Sequence, residues 1–268
     1  MNMLDRLDHA GRLDIKSLTP EELGEEMEAL GERSFRAKQI FEWLHEKGAE
    51  DFASMTNLSA ALRNKLKERF GLTALEVVGE RISSIDGTRK YLFRLEDGNV
   101  IESVWMKYRH GNSVCISSQA GCRMGCRFCA STLDGLARNL RASEMLDQVY
   151  RIRALTGERV SNVVIMGSGE PLDNYENVVR FLRLISHEKG MNMSIRNLTL
   201  STCGLVPQVR RLAEEGLPIT LALSLHAPDD ETRKKLMPIA NTYKLEDVLR
   251  ACRYYYEQTK RRIIFEYS

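Results

Sequence analysis

Cys122-Arg123-Met124-Gly125-Cys126-Arg127-Phe128-Cys129 is the stretch on which the reading of this chain turns. Three thiols fall within eight residues, spaced C-x3-C-x2-C. Thiolates are soft ligands suited to iron–sulfur chemistry, and a short loop with three of them can hold three irons of a [4Fe–4S] cube while the fourth iron takes an exchangeable ligand. The competing reading is a zinc knuckle completed by Cys115 or a histidine, although zinc sites more often use two C-x2-C pairs. Phe128, between two of the cysteines, either packs on the wall of the fold or shields what the loop binds. Mutual disulfides suit the spacing less well. A chain of 268 residues does not need staples, and no export signal is read at its start.

Outward from the loop the pattern alternates. NSVCISS (112–118) reads as a strand before it. After it come a helix from about Ala142 to Leu155, the strand VSNVVIM (160–166), a helix over 174–187 and the strand SIRNLTLS (194–201). A helix over 206–215, the strand ITLALSL (219–225), a helix over 245–256 and a last strand, RRIIFEY (261–267), complete the series. Strands and helices alternating at this spacing mean parallel βα units, with five candidate parallel strands. GSGEP (167–171), STCG (201–204) and SLHAP (224–228) follow strands, as the cysteine loop does, and a parallel barrel gathers such segments on one catalytic rim.

The first seventy residues read as helices. Thr19, Pro20 and Glu22 have the order of a capping box with proline at N1. A second helix is expected over 36–47 and a third over 57–70, where Leu58, Leu62, Leu66 and Phe70 recur every four residues before Gly71. Three short strands, expected to form a small antiparallel sheet, follow within 75–106, separated by Asp86-Gly87 and Asp97-Gly98, which are strong hairpin signals. Hydrophobic residues at 43% and charged residues at 28% are the balance of a globular chain. Lys and Arg number 39 against 37 Asp and Glu, which excludes a strongly charged binder but leaves room for a local basic face. No apolar run is long enough for a membrane span, and MNMLDRLDHAGRL lacks the apolar core of an export signal, so a reducing cytoplasm is the expected address.

Four longer segments carry a more specific resemblance: CISSQAGCRMGCRFCASTLDGLARNL (115–140), VVIMGSGEPLDNYENV (163–178), LSTCGLVP (200–207) and LALSLHAPDDETRKKLMP (221–238). They closely resemble the radical S-adenosylmethionine (SAM) methyltransferases of dual specificity that modify adenine C2 in ribosomal and transfer RNA. The resemblance covers nearly the whole chain. It implies an α/β fold: a radical SAM partial (β/α)6-type barrel over 111–268, here without its final strand and C-terminal segment. A helical accessory domain that binds RNA (1–72) and a β-hairpin extension (73–110) would precede the barrel.

The resemblance also implies roles. Cys122, Cys126 and Cys129 would bind a [4Fe–4S] cluster, and Gly169, Glu170, Ser201, Ser224, Leu225 and His226 would contact SAM. From the residues alone, Glu170 reads equally as a helix-start residue before Pro171, and His226 as a base or a rim residue. Cys115, by its position a core thiol, would be the resolving base and thiol. Glu102, otherwise a surface carboxylate of the hairpins, would be a proton acceptor. Cys203 departs from the serine that the family carries there and, with Cys252, reads as a structural thiol.

The family's chemistry passes the methyl group through a cysteine near the C-terminus. Cys115 then takes the C2 proton and closes a transient disulfide with that carrier. The carrier, and an asparagine contacting SAM, are expected beyond residue 268. The implied partners are 23S rRNA, tRNA and an electron donor such as flavodoxin or ferredoxin, with no membrane. Arg36, Lys38, Lys107, Arg109, Arg123, Arg127, Arg138 and Arg141 are the cations available to grip an RNA backbone. A relative that methylates adenine C8, and a non-catalytic RNA-binding protein, are the competing functions.

Overall fold

The computed structural model describes residues 7–8 and 10–267; most of the stretch read for an export signal, and Ser268, lie outside the described residues. In chain order the elements are β1 (Leu13–Asp14), α1 (Pro20–Ala29), α2 (Phe35–His45), α3 (Ala60–Arg69), β2 (Phe70–Gly71), β3 (Glu76–Ile82), β4 (Arg89–Arg94), β5 (Val100–Met106), β6 (Asn112–Ile116), β7 (Gln119–Gly121) and β8 (Leu136–Asn139). Then come α4 (Ala142–Thr156), β9 (Val160–Ile165), α5 (Tyr175–Ser186), β10 (Leu198–Thr202), α6 (Val206–Glu214), β11 (Thr220–Ser224), α7 (Asp230–Leu236), α8 (Leu245–Thr259) and β12 (Ile263–Glu266).

The main sheet has eight strands in the order β12-β11-β10-β9-β6-β5-β4-β3. β6, β9, β10, β11 and β12 run parallel, as the alternation requires. The three hairpin strands are not a separate small sheet. β5 pairs antiparallel with β6, so they extend the parallel sheet at its first edge. Besides the two-residue β1 and β2, two features escaped the sequence reading. The β7–β8 hairpin frames the cysteine loop, and α7 lies between β11 and α8. Both are short and polar, so hydrophobic periodicity gave no signal for them.

The capping box at α1 forms as read. Thr19 Oγ1 accepts from the Glu22 amide at 3.3 Å, and the Glu22 carboxylate accepts from the Thr19 amide at 2.9 Å. The third helix starts later than 57. Ser59 Oγ accepts from the Leu62 amide at 3.2 Å and caps it, while Phe70 leaves the helix to pair with Leu13 in a parallel β1–β2 contact. Ile15, Phe41 and Leu66 from this region share one continuous hydrophobic core with Val163, Leu182 and Leu221 of the barrel.

A buried polar cluster fixes the junction. Lys16 Nζ donates to Asp147 Oδ1 at 2.6 Å and to the Thr73 carbonyl at 2.5 Å, with 1% and 2% of the two charged side chains exposed. Asp147 Oδ2 accepts from the Leu75 amide at 2.7 Å. Asp14 accepts from Ser143 Oγ at 2.8 Å and from the Thr73 hydroxyl, with the Arg141 guanidinium at 3.7 Å.

Register positions the functional end. Val104 of β5 and Val164 of β9 both pair with Cys115, Ser201 pairs with Ala222, and Ser224 pairs with Glu266. Side chains alternate along strands. Glu102 and Cys115 therefore share one face of the sheet, and Ser201, Ser224 and Glu266 lie together at the C-terminal ends of their strands.

Candidate functional site

A cavity at the strand ends is lined by Cys122, Cys126 and Cys129 on one side and by Gly169, Glu170, Ser201, Ser224 and His226 on the other. All three loop cysteines and five of the six residues expected at SAM thus meet in one place. Leu225 does not line it; the Leu225 amide is bonded to the Glu266 carbonyl at 3.0 Å.

The loop is held from several directions. The Cys122 amide donates to the Gly135 carbonyl at 2.9 Å, and the Arg127 amide to the Leu236 carbonyl at the end of α7, also at 2.9 Å. Thr132 Oγ1 donates to the Cys129 carbonyl at 2.9 Å. Cys122 and Cys126 are buried and Cys129 is half-buried. Burial, reinforced by the neighbouring thiols and Glu170, pushes the Cys126 thiol up to about 11, and Cys122 is raised chiefly by burial. Metal binding replaces such protons. Cys122, Cys126 and Cys129 open on one cavity, and three soft thiolates on a short loop are the donor set a cube takes, one cysteine to each of three irons.

The facing wall comes from the GSGEP turn. Gly169 has φ +103°, and a Cβ there would stand 2.5 Å from the Cβ of Gln119, so only glycine lets the turn approach β7. Gln119 Oε1 accepts from the Glu170 amide at 2.8 Å, while its Nε2 donates to Asn139 and Asp173. The Glu170 side chain is 4% exposed. Its oxygens accept from the Leu172 amide at 3.0 Å, Thr202 Oγ1 at 2.8 Å and the Cys203 amide at 2.8 Å. Glu170 thus serves as a turn cap, as one sequence reading expected, and lines the cavity as well. Burial pushes its carboxyl up, against hydrogen bonds from the Cys203 amide, Thr202, the Cys203 thiol and the Leu172 amide.

Glu266 was missed by sequence reasoning. Its Oε2 accepts from Ser201 Oγ at 3.2 Å and Ser224 Oγ at 3.0 Å, and its carbonyl accepts the amides of Leu225 and His226. That grip accompanies the left-handed φ of +53° at His226. Strand alternation through RRIIFEY, combined with the pairing of the last two strands, was the signal that could have found it. Phe128 is 52% exposed and meets the His226 ring edge-on at 4.8 Å, so it is a cavity residue rather than a packed wall.

Cys115 stands beside the cavity. The backbone amide of Met166, a lining residue, lies at its thiol, and burial pushes that thiol up to about 11. Glu102 is on the same sheet face but solvent-exposed, paired with Lys90 Nζ at 3.1 Å. Cys203 lines the cavity and is buried, whereas Cys252 lies in a core with Leu223 and Val248.

Two of the proposed RNA-gripping cations are turned inward, while Lys107 and Lys38 keep exposed ion pairs with Glu158 and Glu42. Arg138 is bound to Asp97 and, through both terminal nitrogens, to Glu144, and Arg141 is bound to Glu144 and the Leu7 carbonyl. Burial of their carboxylate partners turned these arginines inward. Arg109, Arg123 and Arg127 stay exposed, Arg123 paired with Asp173.

Over residues 116–265 the chain matches the radical SAM superfamily, and over 13–72 the ribosomal RNA large subunit methyltransferase N-terminal domain. It is 64% identical to a probable dual-specificity RNA methyltransferase RlmN of Lachnoclostridium phytofermentans, across 96% of this chain and 72% of that protein. The protein of the same description from Clostridium perfringens strain 13 is 55% identical across 95% of this chain and 74% of its own length. A radical SAM methyltransferase from Sphaerobacter thermophilus, of known structure, superposes with a TM-score of 0.89 at 44% identity, covering 95% of this chain and 75% of that one. A cysteine loop facing a glycine–glutamate turn across one cavity, behind a domain of the matching N-terminal type, makes this chain a member of the RlmN family of radical SAM RNA methyltransferases.

Proposed function

We propose that the chain carries the cluster- and SAM-binding core of an enzyme that methylates C2 of one adenosine in 23S rRNA and of the adenosine beside the anticodon in tRNA. The observation that carries this reading is the convergence of Cys122, Cys126 and Cys129 with Glu170, Ser201 and Ser224 on one cavity. Radical SAM enzymes use a [4Fe–4S] cluster and SAM, which supply the one-electron chemistry and the methyl group needed at a carbon with no lone pair.

The chain's own residues do the rest. The three cysteines would each hold one iron and leave the fourth iron open. Glu170, a buried carboxylate with no ion pair among the described residues, has the chemistry to take the ammonium of SAM's amino acid part, a charge-assisted bond. Glu266 fixes the Ser201 and Ser224 hydroxyls toward the same cavity. Cys115 holds its proton at neutral pH; once ionised it is a strong base, suited to taking the C2 proton before closing a disulfide with the carrier cysteine. Glu102, on the same face and in water, is a proton acceptor that exchanges readily with solvent.

An adenine reached this way must be unstacked and presented from outside. Phe128 offers a surface for stacking, and Arg123, Arg127, Arg109 and Lys107 are exposed cations for the backbone. Flavodoxin or ferredoxin would deliver electrons, and a reducing cytoplasm would reopen the disulfide. Residues 1–72 are assigned to gripping RNA, 73–110 to extending the sheet and 111–268 to the catalytic core.

The test is anaerobic incubation of the full-length gene product with labelled SAM, reductant and RNA, followed by mass spectrometry of the nucleosides. 2-Methyladenosine in both RNA classes is expected. 8-Methyladenosine alone, or RNA binding with no methyl transfer after cluster reconstitution, would overturn the reading.

A further inference from the structure

Arg233 is fully buried on α7, with 0% exposure. Nη2 donates to the Cys203 carbonyl at 2.7 Å and, more weakly, to the Ser224 carbonyl at 3.4 Å. These carbonyls close β10 and β11 behind the cavity wall. Nε and Nη1 are also buried, and neither finds a hydrogen-bond partner among the described residues. No described carboxylate stands within ion-pair distance of it. Burial works against its charge; Asp230 on the same helix supports it, and the Cys203 and Cys126 thiols would do so once ionised. The cysteine loop is tied to the same helix, since the Arg127 amide donates to the Leu236 carbonyl, and Gly125 packs toward Pro238 just beyond it.

A buried guanidinium with two idle donors and, among the described residues, no carboxylate at ion-pair distance is an expensive arrangement. It is relieved if an anion arrives in the cavity beside it. Three thiolates outweigh the charge of an oxidised cube, so the bound assembly is anionic, and one added electron makes it more so. Net charge and hydrogen bonds to sulfur set the potential of such clusters.

We infer that Arg233 is the built-in counter-charge of the iron–sulfur cluster, a buried cation held by the carbonyls of Cys203 and Ser224 just behind the cavity wall, where its charge favours cluster retention and the reduced state. This rests on the ligand assignment above. The electron comes from the flavodoxin- or ferredoxin-class donor, and no bond of Arg233 forms or breaks. Arg233 is a positioning and tuning residue, not one that touches the RNA.

The test uses wild-type, R233M, R233Q and R233K proteins reconstituted anaerobically without SAM or RNA. Iron and sulfide content, the midpoint potential followed by electron paramagnetic resonance, and thermal unfolding of apo and reconstituted forms are measured. Met should leave the apo form near wild-type stability, because removing a poorly paired charge offsets the lost bond to Cys203. The same change should lower the stability of the reconstituted form. At a fixed potential the reduced fraction should fall about tenfold, a midpoint about 59 mV more negative for a one-electron couple. Lys, which keeps the charge, should stay near wild type. Gln keeps a donor for the Cys203 carbonyl without the charge, and the potential shift is required of it even if the Met variant fails to fold. An unchanged midpoint in the neutral variants, with equal destabilisation of apo and reconstituted forms, would reduce Arg233 to a structural residue and overturn the inference alone. A wild-type protein that takes up no cluster would overturn the ligand assignment and this inference with it.

Discussion

Two buried polar clusters in this chain look alike in composition and differ in closure. At the junction, Asp14 and Asp147 are buried with Lys16 and Arg141 beside them, and serine, threonine and backbone groups take up the remaining bonds. At the strand-end cavity, Glu170 is equally buried but meets only neutral donors, while Arg233 has no acid within ion-pair distance among the described residues. Burial pushes up both Asp14 and Glu170. For Asp14, Arg141 and Lys16 pull the other way; for Glu170, the chief opposing groups are the neutral donors of Cys203, Thr202 and Leu172. A closed cluster is finished on folding and specifies how two parts dock. An open one holds its charges apart for something that binds later, at a cost to the unliganded protein.

The largest effect should come from opening the closed cluster. Lys16→Met removes the cation that Asp147 needs and leaves a buried carboxylate uncompensated. Chemical denaturation should then show a loss of about 3–5 kcal/mol. The loss should be the same in apo and reconstituted protein, because nothing that binds later serves this site. A loss below about 1 kcal/mol would mean that water reaches the junction and that the two clusters do not differ as described.

The matching change in the open cluster should act on the ligand more than on the fold. Glu170→Gln keeps one acceptor oxygen but sets an amide against the Cys203 amide, so it forfeits one bond and costs about 1–3 kcal/mol. SAM affinity of the reconstituted protein, measured by equilibrium dialysis, should fall about 10- to 100-fold, the worth of one charge-assisted bond. A stability loss with unchanged SAM affinity would make Glu170 a turn cap and nothing more.

How much of this was legible follows the same division. The parallel strands, the capping box and the cysteine loop came through because each has a local signature: period, cap residue or spacing. The attachment of β5 to β6 did not, since strand pairing is a long-range fact that hairpin signals do not carry. Five of the six residues that the resemblance assigns to SAM line the cavity, yet Glu266 and Arg233 were not named, although both lie in stretches that the reading used. Their importance comes from what they lack or gather in space. Glu266 joins hydroxyls from two strands, and Arg233 is notable only for the partners it does not have. Arg138 and Arg141 show the converse, since charge in a sequence does not say whether a carboxylate elsewhere has claimed it.

The smallest effect is in pH dependence, and it separates the clusters by ligand rather than by sign. Glu170 and Asp14 have folded-state values raised above 4.5 and 3.8, so the folded chain holds these protons more tightly than the unfolded one. Each contribution is fully present below the unfolded value and is lost as pH rises through the folded one. Apo stability should therefore decline with rising pH across that window, by at most about 1.4 kcal/mol per pH unit for each group. Glu170→Gln should remove one part of the decline and Asp14→Asn the other, measured by denaturation at a series of pH values. SAM should erase only the first, because its ammonium reaches Glu170 and pulls that carboxyl back down, whereas Asp14 already has its cations. If SAM left the wild-type slope unchanged while still binding, Glu170 would not be the carboxylate that meets the ammonium, and the cavity would lose its claim to be the open counterpart of the junction.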